Sequence, residues 1–150
     1  MDKIDLMLVN ELQKDAERSI YQLSKYLGLK RSTVYNRIKK LKQEGVIKRH
    51  HAVVDYEKIG LPFCSFILVR IKKSVKTEVV CEEISKDSAV EEIHPITGSF
   101  DLILKARFKD IKGLSHFTLK RLSRPVLANK ILRTETMITL DTYKEYFKNV

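Results

Sequence analysis

The chain has 150 residues, of which 43% are hydrophobic and 8% aromatic, and it carries 29 Lys and Arg against 19 Asp and Glu. This composition excludes a disordered chain and predicts one or two globular domains, and the formal net charge of +10 indicates a polyanionic partner. The N-terminus lacks a signal-peptide core, the longest apolar run is too short to cross a membrane, and the two cysteines fit reduced thiols, so we expect a cytoplasmic protein.

The first predicted element is a helix that begins after Asp2, a residue type well suited to cap a helix N-terminus. Ile4, Leu8 and Leu12 recur at helical spacing and predict the buried stripe of this helix. The polar residues 15–18 predict the connection to the next element.

Residues 19–49 predict two further helices joined by a tight turn. Ser19 is followed three positions later by Gln22, which is the spacing of a capping box at a helix start. Gly28 is suited to the left-handed conformation that ends a helix. Two short helices with this connection predict a helix-turn-helix, whose second helix lies in the DNA major groove.

The second of these helices has one apolar face and one polar face. Val34, Ile38 and Leu41 follow one another at i, i+4 and i+7, so we expect them to face the core. The same periodicity turns the polar residues outward; they are Arg31, Ser32, Tyr35, Asn36 and Lys39.

Positive charge is concentrated around this helix. Residues 30–49 contain eight cations and one anion, Glu44, which gives a net charge of +7. A cationic cluster of this kind gains affinity for nucleic acid by counterion release, although a charge run by itself is also typical of a solvated helix face. Together with the turn, the cluster predicts binding to double-stranded DNA.

The chemistry of each side chain suggests its role on DNA. Base-edge contact suits Arg31, Ser32, Tyr35 and Asn36, because Arg and Asn can pair bidentately with guanine and adenine. Arg37 is ambiguous, since it can instead brace the helix pair. The cations expected to hold phosphates are Lys39, Lys40, Lys42, Lys48 and Arg49. The full predicted DNA interface is Lys30, Arg31, Ser32, Thr33, Tyr35, Asn36, Arg37, Lys39, Lys40, Lys42, Lys48 and Arg49.

After Gly45 the pattern changes. Val46 and Ile47, and then residues 52–54, predict a strand, which is the outline of a winged helix-turn-helix without an evident second wing strand. Residues 57–62 combine a glycine with a proline and predict a hinge.

The second half alternates strands and helices in the order βαββαβ, which predicts a ferredoxin-like α+β domain. Asp110 is expected to cap a helix that runs through Leu114, Phe117, Leu119 and Leu122. The expected segments are a strand at 64–72, a helix at 77–86, strands at 90–97 and 102–108 joined by a turn at 98–101, the helix after residue 110, a strand at 131–140 and a short polar helix at 143–147.

Several motifs resemble the Lrp/AsnC family of feast/famine transcription regulators. They are the D-x-x-D of Asp2 and Asp5, the L-x-K-D-A-x-R stretch ending at Arg18, T-V-Y-N-R-I-K-K-L-K-Q-E-G-V-I at 33–47, the G-x-x-D of Gly98 and Asp101, and the T-x-T of Thr134 and Thr136. Lys30 departs from the family, which usually has a capping Ser there, and Arg49 replaces a common Gly. The resemblance implies a helix-turn-helix domain at 1–49, a strand and hinge linker at 50–62, and an effector and oligomerisation domain at 63–150.

The resemblance also implies partners. Family members dimerise through the effector-domain sheet, often assemble into tetramers or octamers, and many bind a free amino acid between effector domains. By position, the implied effector site is Gly98, Ser99, Phe100, Asp101, Thr134 and Thr136. Turn N–H groups can hold a carboxylate and Asp101 can pair with an ammonium, but the same residues can simply build a hairpin and a strand.

Two other kinds of protein are compatible with this sequence. A siroheme decarboxylase-like enzyme would use His94 and His116 around a carboxylated tetrapyrrole, although a basic recognition helix has no purpose there. An architectural DNA binder without an effector is also compatible with the charge. We expect a regulator rather than an enzyme, with no cofactor except a possible amino acid and no metal, because no Cys or His group has metal-ligand spacing.

Overall fold

The structure is a computed structural model that describes residues 1–50 and 52–143. Contacts divide it into two compact units, one within Met1–Val53 and one within Val54–Thr142. None of the helices in this described part is long and apolar enough to cross a membrane. The helix predicted at 143–147 lies outside the described residues from position 144 onward.

The first unit contains three helices, α1 (Lys3–Lys14), α2 (Ile20–Leu27) and α3 (Arg31–Gln43). Leu8, Leu23, Val34 and Leu41 form its core and are at most 1% exposed. Each helix contributes at least one of them, because the apolar residues recur at helical spacing. The predicted helix-turn-helix is confirmed.

The strand predicted after Gly45 is wrong, because none of the described residues 46–50 and 52–54 is in a strand. Gly45 has a φ of 71° and ends α3, and the backbone N–H groups of Val46 and Ile47 both donate to the Leu41 carbonyl. Ile47 then packs against the helical core. These apolar residues therefore close the C-terminus of α3, as in a helix-ending motif with a hydrophobic contact, and do not build a wing.

The second unit is an antiparallel sheet with helices on one face. Its elements are β1 (Phe63–Ile71), α4 (Thr77–Ile84), β2 (Val90–Pro95), β3 (Leu102–Phe108), α5 (Ile111–His116), a π-helical segment (Phe117–Arg121), α6 (Pro125–Ala128) and β4 (Ile131–Ile138). The sheet order is β2-β3-β1-β4, with every neighbouring pair antiparallel. The predicted βαββαβ order and ferredoxin-like class are confirmed.

The register assigns the two faces of this sheet. Ile67 of β1 pairs with Leu104 of β3, and both are 0% exposed beneath the helices. Because strand residues alternate, Phe66 and its β4 partner Met137 lie on the opposite face, where they remain 36% and 44% exposed. Thus only one face of the sheet is covered by helices.

The helix after Asp110 differs from the prediction in its second half. Asp110 caps it as expected and accepts a hydrogen bond from the Gly113 N–H at 2.8 Å. The second half is a π-helical segment at Phe117–Arg121 rather than a regular α-helix, and Leu119 within it is 68% exposed. Leu114, Phe117 and Leu122 are buried. The short helix α6 was not predicted from the sequence; it begins at Pro125, a residue favoured in the first turn.

Candidate nucleic-acid interface and effector site

The turn between α2 and α3 fixes where α3 begins. Ser19 Oγ accepts a hydrogen bond from the Gln22 backbone N–H at 3.2 Å, and the Gln22 side chain accepts one from the Ser19 N–H at 2.8 Å. Gly28 takes a left-handed conformation with a φ of 66°. It ends α2 there, and α3 begins at Arg31. The predicted capping box and glycine turn are both present.

The outward face of α3 carries the residues predicted to contact bases. Val34 and Leu41 are 0% and 1% exposed, and Ile38 packs against the same core. Since a helix turns about 100° per residue, the surface opposite this core carries Ser32, Asn36 and Lys39. The structure leaves all four predicted base-contacting side chains exposed, namely Arg31, Ser32, Tyr35 and Asn36.

The cations predicted to hold phosphates are also exposed. They are Lys39, Lys40, Lys42, Lys48 and Arg49. Of the other residues in the predicted interface, Lys30 is exposed and Thr33 is half-buried. Glu44 lies 3.7 Å from Lys40, but both side chains are largely solvated, so this pair offsets little of the charge. Lys30 is the N-cap of α3 and makes no side-chain cap hydrogen bond within the described chain, because an ammonium has no acceptor.

Arg37 is engaged by α1 rather than presented to solvent. Its Nη1 lies 2.7 Å from Asp2 Oδ2 and 2.7 Å from Asp5 Oδ1, and Asp5 is 6% exposed. Asp2 and Asp5 also accept each other's backbone N–H at 2.9 Å. These N–H groups first, and then Arg37, lower the pKa of both carboxyls, and the two carboxylates raise the pKa of Arg37. This geometry favours the bracing role over a DNA contact.

The exposed surface of α3 includes one residue, Gln43, that the predicted interface omits. Gln43 ends the helix, is exposed, and lies one turn after Lys39. Its amide can pair with an adenine edge in the same way as Asn36. The signal was present in the helical spacing, and we add Gln43 to the candidates for base contact.

The predicted effector turn is fastened to the end of β1. Gly98 has a φ of 114° and allows the chain to reverse. Asp101 Oδ2 accepts the Ile71 N–H at 2.7 Å and lies 3.7 Å from Arg70 Nε. Arg70 also donates to the Ser99 carbonyl. The carboxylate that was expected to bind an ammonium therefore already has a structural role, but it remains partly accessible to solvent.

The other three predicted effector residues lie near β4. The guanidinium carbon of Arg133 is 5.6 Å from the Phe100 ring centroid, so the turn reaches the start of this strand. Thr134 pairs with Val69, and Thr136, two pairs further along, pairs with Ile67. Thr134 is half-buried and Thr136 exposed on the face that the helices cover. The turn and Thr134 thus share one end of the sheet.

A groove of about 880 Å³ lies between α4 and β2. Its lining includes Glu78 and Glu82 of α4, Ile93 of β2, and Asp101. Of the six predicted effector residues, Asp101 borders this groove within the described part of the chain. The six residues therefore do not line one common cavity in that part. Burial raises the pKa of the Cys81 thiol in this groove, which makes it a poor nucleophile.

The two histidines considered for an enzyme do not form a site together. His94 lies in β2 opposite Ile103, on the face that the helices leave open, and its Nε2 is 2.9 Å from Glu92. His116 ends α5, which packs on the other face. Side chains on opposite faces of a sheet cannot flank one tetrapyrrole, so this geometry does not support the decarboxylase.

Comparisons with known proteins agree with the two units. A model of the AsnC-type helix-turn-helix domain matches residues 1–42, and a model of the Lrp/AsnC ligand binding domain matches residues 64–148. The HTH-type transcriptional regulator FL11 of Pyrococcus horikoshii is 35% identical over 97% of this chain and 93% of its own length. An uncharacterized HTH-type transcriptional regulator of Pyrococcus abyssi is 36% identical over 97% of this chain and 96% of its own.

Solved structures have the same fold. A transcriptional regulator of Neisseria meningitidis, crystallised as a complex with L-Met, is 26% identical, with a TM-score of 0.89 over 100% of this chain and 96% of its own. AsnC of E. coli is 23% identical, with a TM-score of 0.85 over 97% of this chain and 95% of its own, and shows the fold alone.

Proposed function

Because this chain belongs to the Lrp/AsnC family of transcriptional regulators, we propose that it binds specific DNA sequences through α3 and that a free amino acid modulates its assembly or its DNA binding. The observation that carries the proposal is the outward face of α3, on which cationic and amide side chains are exposed together. Such a face combines phosphate attraction with donors for base edges. We place the protein in the cytoplasm, where it meets DNA and where thiols stay reduced.

The chemistry of each exposed side chain assigns it to a base contact or to a phosphate contact. Arg31, Ser32, Tyr35, Asn36 and Gln43 contact base edges and determine the sequence that is bound. The lysines on and after the helix, with Arg49, neutralise phosphates and supply affinity that is independent of sequence. Arg37 instead holds the first turn of α1 against α3.

The regulator is a homodimer at minimum, held by the second unit. One recognition helix reads few base pairs, and dimeric helix-turn-helix proteins read two half-sites whole helical turns apart. The open face of the sheet supports this arrangement, because Phe66 and Met137 remain exposed there side by side. Apolar side chains on an uncovered sheet face gain most when a second copy covers them.

The effector is a free amino acid that binds near the turn at 98–101, in contact with more than one subunit. The related Neisseria meningitidis regulator was crystallised with L-Met. In this chain Asp101 is 37% accessible through its side chain and borders the groove between α4 and β2, so it is available to an ammonium group. A ligand of this kind shifts the assembly only by its difference in affinity for two arrangements, typically about 1–3 kcal/mol.

Genome-wide selection of bound DNA tests the proposal, performed without ligand and then with each of the twenty amino acids. We expect one enriched motif without ligand, and a change in occupancy or affinity with at least one amino acid. Selection that enriches no motif contradicts sequence-specific regulation and leaves an architectural binder. A motif that no amino acid affects at millimolar concentration contradicts the effector alone.

A further inference from the structure

Tyr21 of α2 and Arg31 of α3 are in contact across the turn. The guanidinium carbon of Arg31 lies 4.4 Å from the centroid of the Tyr21 ring, and Lys25 Nζ lies 4.9 Å from the same point. Both distances are within the range of about 6 Å over which a cation is attracted to an aromatic face. Tyr21 is 44% exposed, so its ring is not part of the core. The ring instead contacts two cationic side chains, Lys25 and Arg31, beside the start of α3.

The described surroundings of Arg31 offer its guanidinium no ion pair. Within residues 1–50 and 52–143, no carboxylate lies in ion-pair distance of Arg31, and the first turn of α3 contains no acidic residue. The helix N-terminus is itself electropositive, so the surroundings repel the guanidinium. A long side chain in such surroundings would sample many rotamers, and the Tyr21 ring is the attractive contact that restricts it.

The two arginines of α3 are held in chemically different ways. Arg37 donates through Nη1 to both Asp2 and Asp5, and these ion pairs tie its guanidinium to the start of α1. An aromatic ring contacts the flat face of a guanidinium and leaves the N–H donors at its edge available. Tyr21 can therefore order Arg31 without using the groups that pair with a guanine edge.

We propose that Tyr21 is a positioning residue that holds the Arg31 guanidinium ready to read a base edge, and that it thereby contributes to sequence specificity. This inference rests on the proposed DNA-binding role of α3. An arginine that is ordered before binding loses less side-chain freedom on DNA than a mobile one. The benefit is greatest for the base pair that requires the bidentate geometry, so loss of the ring lowers discrimination at that position first.

The test is DNA selection with the full-length protein and five variants: Arg31→Ala, Tyr21→Leu, Tyr21→Phe, the double variant Tyr21→Leu/Arg31→Ala, and Tyr26→Leu. We expect Arg31→Ala and Tyr21→Leu to lose preference at the same base pair, by about fivefold or more for Arg31→Ala. The double variant is expected to match Arg31→Ala alone, because Tyr21 acts through Arg31. Tyr21→Phe keeps the ring and is expected to keep the motif.

Tyr26→Leu is the matched control. Tyr26 is on the same helix and 56% exposed, and its ring lies 5.5 Å from Arg18, which is not on α3. We expect this variant to select the wild-type motif. Because both tyrosines are exposed, the melting temperatures of all variants should stay close to that of the wild type.

Three outcomes overturn the inference: an unaltered motif for Tyr21→Leu, additive losses in the double variant, or a loss in Tyr21→Phe equal to that in Tyr21→Leu. The last outcome would assign the effect to the hydroxyl, which can contact a phosphate directly. A wild-type protein that selects no motif contradicts the proposed function instead. In the free protein, the Arg31 side-chain NMR resonances should show a ring-current shift that Tyr21→Leu removes and Tyr21→Phe retains.

Discussion

Replacing Lys39 and Lys40 by alanine should weaken DNA binding in a salt-dependent manner that is the same for every sequence. Both side chains are exposed on α3, and Glu44 lies 3.7 Å from Lys40 in a solvated pair. Neither lysine supports the core, which is formed by Val34 and Leu41 on the other side of the helix. The double substitution therefore changes charge and leaves the fold intact.

The size of the effect follows from counterion release. Each neutralised phosphate contributes about 0.9 to the slope of log affinity against log salt, so two lysines in each of two protomers contribute about 3.6. Between about 50 and 200 mM salt, the wild type should therefore lose roughly 150-fold more affinity than the double variant loses. The assay is fluorescence anisotropy on one labelled operator over a series of salt concentrations.

Lys109→Ala/Lys112→Ala is the matched control, because it removes two exposed lysines from the second unit instead. This control should keep the wild-type slope. An unchanged slope in the α3 variant, or an equal fall in the control, would refute the assignment of phosphate contacts to α3. A change in the selected motif would show that Lys39 or Lys40 reads bases.

Four further results are expected. Asn36→Ala should change the preferred sequence while the salt slope stays near that of the wild type, and selection of an unaltered motif would disprove the register of α3. The isolated fragment 61–150 should self-associate in sedimentation, whereas a monomer at high concentration would contradict the dimer interface. Asp101→Ala should abolish calorimetric binding of the amino acid without changing ligand-free DNA affinity, and retained ligand binding would remove Asp101 from the site. Arg37→Met should lower the melting temperature at neutral pH. Because the two carboxylate partners have pKa values below their ordinary 3.8, the brace stabilises above that pH and its contribution disappears as the pH falls through the lowered values. The difference in melting temperature between Arg37→Met and the wild type should therefore shrink below pH 3.8, and a difference that persists there would contradict the ion pair.

The elements that could be predicted from the sequence are those whose signals are local. The N-cap at Asp2, the capping box at Ser19 and the left-handed Gly28 define helix ends by hydrogen bonds within a few residues, and the structure contains all three. Alternation along β1 and β3 is likewise local, since one face of the sheet is buried beneath the helices.

The elements that were predicted wrongly depend on contacts that periodicity does not encode. Val46 and Ile47 resemble the start of a strand. In the structure, however, the Leu41 carbonyl accepts hydrogen bonds from both of their N–H groups, and the Ile47 side chain packs against the helical core. The π-helical segment at Phe117–Arg121 has no counterpart in the sequence pattern, which predicts an ordinary helix there. Neither the carbonyl that a turn will use nor a π-helical turn is visible in the hydrophobic pattern.

In the candidate site, too, the sequence pattern predicts local features but not contacts between distant residues. The outward set on α3 follows from the positions of the core residues, and so its exposure was predictable. The pairing of Arg37 with Asp2 and Asp5 joins residues more than thirty positions apart, and the helical pattern could only leave its role open. The effector residues came from a resemblance, and in the proposed assembly their arrangement around a ligand depends on further subunits.

The central claim is that α3 lies in the major groove of its operator, and methylation interference tests it most directly. Dimethyl sulfate modifies guanine N7 in the major groove and adenine N3 in the minor groove, so one experiment compares both grooves. We predict that N7 methylation blocks binding at two clusters of guanines whose centres are about 34 Å apart, or a multiple of that distance. Interference at adenine N3 alone, or at no position, would contradict the claim.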